Sequence, residues 1–132
     1  MENRRILVDT TILIDFLRKQ KKEKSRLWKL REEYQNLTIS AISVFELFAG
    51  ATDDQKIEDV RKLLKWFDIL DFDEKIAEES GEIFKKMRRE KKLIEYRDLF
   101  IGTTAVFYDL KIATLNVKHF EHIPNLEILK IT

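Results

Sequence analysis

The chain of 132 residues has no cysteine, one proline and three glycines. Without cysteine there are no disulfides, no thiolate metal sites and no cysteine nucleophile, which suits a reducing compartment. With so little glycine and proline there is no low-complexity linker and no glycine-rich phosphate loop. Long apolar runs are also missing. None approaches the ~20 residues of a membrane span, and Ile6-Leu7-Val8 is interrupted by Asp9 too early for a signal core. Charge of one sign is scarce as well: Lys+Arg 25 against Asp+Glu 24 leaves +1. No global field announces nucleic acid, so any basic site must be local. The expectation is a single soluble domain over residues 1–132, cytoplasmic and away from the membrane.

What is present is 44% hydrophobic residues, enough for a packed core, and 37% charged residues, high for a globular domain. Short apolar runs alternate with helical patterns. Strands are expected at Arg5–Val8, Leu37–Ser40, Asp68–Phe72, Lys111–Leu115 and Leu126–Ile131. Helices are expected at Thr10–Leu17, Lys22–Tyr34, Ile42–Gly50, from Asp53 or Asp54 to Phe67, from Asp73 to Lys91, and at Arg97–Leu110. Strands separated by helices predict an α/β fold with a mainly parallel sheet. Such sheets carry their sites beyond the carboxyl ends of the strands.

Four polar residues interrupt apolar runs. Asp9 closes Ile6-Leu7-Val8, and Glu46 is the only charge between Ser40 and Ala51. Asp98 opens the run from Leu99 to Phe107, and Asn116 follows Ile112-Ala113-Thr114-Leu115. A carboxylate in apolar surroundings is costly unless paired, protonated or bound to a cation. Several on separate elements suggest one shared charge, a divalent metal such as Mg²⁺ or Mn²⁺ held by oxygen ligands. Asp9, Glu46 and Asp98 are the candidate metal ligands. That chemistry suits phosphodiester hydrolysis.

Each residue also has an ordinary explanation. Asp9 could cap the next helix, although Thr10 and Thr11 could do so instead. Glu46 could snorkel to water at an edge. Asp98 could complement the helix dipole or pair with Arg97 or Lys92. Asp15 reads as a surface partner of Lys19 or Arg18. His119 and His122 read as a solvent-facing loop. Two basic runs, 18–26 and 85–92, are solvated faces or phosphate contacts. Tyr96 packs in the core or stacks on a base. Leu27, Trp28 and Trp66 are interface candidates.

Taken together, Ile6–Asp15, Ser40–Leu47, Arg97–Thr103 and Ile112–Phe120 resemble the four motifs of PIN domains, in the order and spacing of VapC-type toxins. The resemblance implies a three-layer α/β/α sandwich and a Mg²⁺- or Mn²⁺-dependent endoribonuclease. It also implies a homodimer inhibited by a small cognate antitoxin. Asp9, Glu46 and Asp98 would hold the metal and its water. Thr114 matches a hydroxyl that helps position that water. Asn116 stands where many family members have a fourth acid, so it would coordinate through its carbonyl or orient a water without adding charge. Thr11 replaces a frequent Asn, and His119 a frequent Asp. Three other readings compete: a non-catalytic PIN-fold binding module, a housekeeping RNA-processing nuclease, and a haloacid-dehalogenase-like phosphatase. The last is weakened because Thr11 occupies the position of its second acid.

Overall fold

The structure is a computed structural model that describes residues 5–131. The ends of the expected domain, residues 1–4 and 132, lie outside the described residues. Five strands form one parallel sheet in the order β3-β2-β1-β4-β5. They are β1 (Arg5–Val8), β2 (Asn36–Ser40), β3 (Asp68–Leu70), β4 (Lys111–Ala113) and β5 (Ile128–Leu129). The connecting helices are α1 (Thr10–Arg18), α2 (Arg26–Glu33), α3 (Ala41–Ala49), α4 (Asp54–Leu64), α5 (Glu74–Arg89), α6 (Tyr96–Phe107) and α7 (Val117–Phe120).

The period-two alternation of β1 feeds two cores. Ile6 and Val8 point to one face, with Ile12, Leu13 and Phe16 of α1, Leu27 and Leu30 of α2, and Val60 and Leu63 of α4. Leu7 points to the other, with Ile83 and Met87 of α5, Leu99, Ile101 and Ala105 of α6, and Phe120 of α7. These are the layers of the expected sandwich. The chain runs outward from β1 through β2 to β3, then returns to lay β4 against the free side of β1. The order reverses between β1 and β4, which opens a crevice at their carboxyl ends.

Local chemistry sets the helix limits. Asp53 and Asp73 cap α4 and α5, accepting from the Lys56 and Ile76 amides at 2.8 Å and 3.0 Å. Neither Thr10 nor Thr11 caps α1; both hydroxyls are engaged elsewhere, as described below. The expected helix 22–34 is a short 3-10 turn at Lys22–Lys24 followed by α2, because the Ser25 hydroxyl restarts the chain by accepting from the Trp28 amide. The expected strands 68–72, 111–115 and 126–131 pair over shorter spans, since each runs out of neighbours at the edge of the crevice or of the sheet. Trp28 and Trp66 are half-buried against each other at 6.4 Å, and Leu27 is fully buried, so none of the three is an exposed anchor.

Candidate metal centre

The site grows from the crevice between β1 and β4. The Asp9 amide donates to the Ala113 carbonyl at 2.8 Å, tying the two strand ends together. The Asp9 side chain is 0% exposed. Its Oδ2 accepts from the Thr11 and Thr114 hydroxyls, each at 2.8 Å. Those hydroxyls are themselves fixed, Thr11 by the Leu115 amide at 3.1 Å and Thr114 by the Asn116 amide at 3.0 Å. Oδ1 is buried with no hydrogen-bond partner among the described residues, and Arg97 Nη2 lies 3.5 Å away.

Glu46 approaches from α3, which the Ser40 hydroxyl starts at the end of β2 by accepting from the Ile42 amide. Thr10 donates to Glu46 Oε1 at 2.7 Å and shares a 2.8 Å contact with the Ser43 hydroxyl. Asp98 enters from the first turn of α6 and is buried. Arg97 joins all three acids. Its Nη2 donates to Glu46 Oε1 at 2.8 Å, its Nε to Glu46 Oε2 and its Nη1 to Asp98 Oδ1. One guanidinium therefore sits at the focus of three carboxylates from three separate elements.

The electrostatics follow from this packing. The hydrogen bond to Glu46 is the largest influence raising the Arg97 pKa, and the charges of Glu46, Asp9 and Asp98 add to it against the cost of burial. Burial pushes the Asp98 carboxyl above its ordinary value, while Arg97 and His119 pull it back down. His119 Nδ1 stands 3.3 Å from Asp98 Oδ2.

These side chains suit a divalent cation in donor chemistry. All donors are hard oxygens, and Asp9 Oδ1 is a buried acceptor lacking a hydrogen bond. With Arg97 folded inward, no three acidic or histidine side chains among the described residues are spaced to grip one ion. A metal would need the guanidinium to withdraw, and Arg97, 26% exposed, borders solvent.

The other sequence candidates divide. Thr114 does not face the centre freely; its hydroxyl is committed to orienting Asp9. Asn116 precedes α7, and no hydrogen bond or ion pair joins its side chain to the three acids. Asp15 pairs with Lys19 at 3.6 Å, as expected, but its second cation is Arg26 at 3.9 Å rather than Arg18. His119 is not in a loop; it lies on α7 against Asp98, whereas His122 pairs with Glu121 at 3.6 Å. Gly102 explains the approach of that segment: a Cβ there would meet Ile123 Cδ1 at 2.3 Å and Phe120 Cδ1 at 3.4 Å. Arg97 was legible only as a neighbour of Asp98. Its reach to Glu46 spans 51 positions and leaves no local pattern.

Known proteins resemble this chain in sequence and in fold. The PIN domain family matches residues 6–126. Ribonuclease VapC10 of Mycobacterium tuberculosis is 37% identical over 125 residues, covering 95% of this chain and 90% of that protein. Ribonuclease VapC1 of Methanocaldococcus jannaschii is 30% identical over 122 residues, covering 92% of this chain and 83% of that protein. The structure of VapBC2 from Rickettsia felis, bound to a DNA fragment from its promoter, superposes with a TM-score of 0.82 at 24% identity. It covers 95% of this chain and 97% of that one, and it supports the fold. By the family match and by these relatives, the protein belongs to the PIN-domain family.

Proposed function

We propose that this protein is an endoribonuclease of the VapC type, dependent on Mg²⁺ or Mn²⁺, acting as the toxin of a toxin–antitoxin pair. The observation that carries the proposal is the convergence of Asp9, Glu46 and Asp98 at the β1–β4 crevice. Relatives named ribonucleases supply the reaction class. In this reading the three acids hold the ion. When bound, the ion supplies Lewis-acid polarisation of the scissile phosphate and lowers the pKa of a water. The chain's own groups do the rest. Thr11 and Thr114 hold Asp9 in one orientation, and Thr10 does the same for Glu46. Asn116, which follows β4, would coordinate through its carbonyl or orient a water without adding charge.

A small antitoxin is the second partner in this reading, by analogy with the toxin–antitoxin complex known from Klebsiella pneumoniae. An apolar groove lined by Ile14, Leu17, Leu47, Ala51 and Val60 runs up to Glu46, so a protein seated there reaches the acids. Exposed Phe45, and Phe107 with Tyr108, offer apolar surface to a second copy in a homodimer. No helix among the described residues is long and apolar enough to cross a membrane; a cytoplasmic setting, where RNA and Mg²⁺ are at hand, completes the proposal. Family membership removes the support for a haloacid-dehalogenase-like phosphatase.

The test is cleavage of a mixed RNA pool by antitoxin-free protein, with Mg²⁺, with Mn²⁺ and with chelator, beside Asp98→Asn. Metal-dependent cutting that the substitution abolishes is expected. Folded protein that binds the pool but never cuts it would favour the binding-module alternative. Cutting without growth arrest on expression would favour a housekeeping nuclease.

A further inference from the structure

Two adjoining hollows lie on the Asp98 side of the site. One, of about 320 Å³, is lined by Met87, Glu95, Asp98, Lys118, His119 and His122 together with Leu93 and Ile94. The other, of about 520 Å³, shares Leu93, Ile94 and Glu95 and continues to Phe84, Arg88, Lys92 and Tyr96. They form one track leading from the acidic centre over the start of α6 to the end of α5.

The track has the chemistry of a polyanion with flat apolar bases. Arg88, Lys92 and Lys118 line it, and among the described residues no ion pair joins any of them to an acid. Among the described residues, the only acid in its lining apart from Asp98 is Glu95. Tyr96 is 64% exposed, yet its ring is held: it stacks on Phe100 at 6.1 Å with an 11° tilt and leans on Phe84 at 5.7 Å. Phe100 is backed in turn by Phe72 at 4.7 Å. A ring buttressed on one side and open to solvent is a stacking platform with little entropy left to lose. Leu93 is 98% exposed beside it, an apolar side chain left uncovered by the other described residues. Tyr96 and Asp98 open the same helix but point to opposite sides of it, about 200° apart; the track joins them around the helix start, through the Leu93, Ile94 and Glu95 that both hollows share. Charge complementarity with a phosphate backbone favours nucleic acid over an apolar peptide.

We infer that this track is the path of the single-stranded RNA substrate. One base stacks on Tyr96, Arg88 and Lys92 meet phosphates on one side of it, and Lys118 meets one beside Asp98. The inference rests on the ribonuclease reading and extends it to the substrate's route and single-stranded character.

The test is fluorescence anisotropy with a labelled 20-nucleotide single-stranded RNA of mixed sequence, in chelator, using the Asp98→Asn background so that the probe stays intact. Tyr96→Ala should weaken binding roughly 5- to 150-fold, the range for loss of one stacked base, and Tyr96→Phe should retain it. Arg88→Glu with Lys92→Glu should weaken binding and reduce the slope of log affinity against log salt by about 1.4, for two lost phosphate contacts on a single strand. Arg61→Glu on α4 with Lys65→Glu just past its end, across the sheet, should change neither. Circular dichroism establishes that each variant is folded. A parent that binds while the track variants bind equally well overturns the path and leaves the ribonuclease reading standing. A parent that does not bind, from a wild type that does not cut RNA, overturns both. Track variants that turn a dimer into a monomer without losing RNA also overturn the path, assigning the surface to a second copy of the chain.

Discussion

Replacing Arg97 by Met should make the stability of the fold depend on metal. The guanidinium is the positive charge seen at the focus of Asp9, Glu46 and Asp98, and two of those acids are almost completely buried. Met keeps much of the stem's volume and removes the charge, leaving three carboxylates facing one another. Breaking a buried ion pair from one side costs 3–5 kcal/mol; partial exposure of Arg97 places the loss at about 3 kcal/mol. For a domain of this size each kcal/mol moves the melting temperature by roughly 3–4 °C, so the variant should melt about 10 °C lower in chelator. Mn²⁺ at about 100 times its Kd contributes ~2.7 kcal/mol and should restore most of that loss. In the wild type the same ion must first displace the guanidinium. If the inward position is favoured by about 2 kcal/mol, wild-type affinity for Mn²⁺ should be about 30-fold weaker than that of the variant. Calorimetric titration and thermal melts with and without Mn²⁺ measure both quantities. A variant that melts with the wild type in chelator, or binds Mn²⁺ no more tightly, refutes the idea that Arg97 holds the ion's place.

Further outcomes follow from neighbouring contacts. Burial holds the Asp98 carboxyl above its ordinary value of 3.8. Folding therefore favours its protonated form, and its contribution to metal-free stability is lost as pH rises through the raised value. Mn²⁺ affinity should fall as pH drops through that same window, because the proton competes for the ligand; an Asp98→Asn protein that keeps the same pH dependence of any residual binding would remove Asp98 as its source. Thr114→Val takes one of two hydroxyls from Asp9 Oδ2, and should cost ~1–2 kcal/mol of stability and 10–100-fold in cleavage or metal affinity; unchanged cleavage would show that Thr11 suffices. Gly102→Ala forces Ile123 aside and should destabilise by about 1–3 kcal/mol, read from urea midpoints. Asp109 ends α6 with φ 55°, while the Leu110 amide reaches back to the Ala105 carbonyl at 2.8 Å. Asp109→Gly relieves that left-handed strain and should raise the melting temperature by about 3 °C; no rise would mean that the Asp side chain compensates locally.

The sequence made the three acids visible because each interrupts an apolar run, where a carboxylate has no ordinary reason to be. The order of strands and helices was visible for a related reason: apolar periodicity changes from two to 3.6 at each junction. What joins the acids was hidden. Arg97 reads locally as the i−1 neighbour of Asp98 in a helix start, and nothing near it announces Glu46. His119 was hidden because α7 is only four residues long and gains its place from the close packing allowed by Gly102. Thr114 was marked by the resemblance as a hydroxyl of the site, but that it and Thr11 hold the same carboxylate shows only once β4 returns beside β1. The edge strands were overextended because a run of apolar residues does not reveal where its partner stops.

The most direct test of the metal centre is a crystal of the antitoxin-free protein soaked in Mn²⁺, with diffraction recorded at a wavelength where manganese scatters anomalously. The account predicts one strong anomalous peak among the carboxylates of Asp9, Glu46 and Asp98, with the Arg97 guanidinium displaced from their focus. A fully soaked crystal with Arg97 still bonded to Glu46 and Asp98, and no peak between the acids, would contradict it.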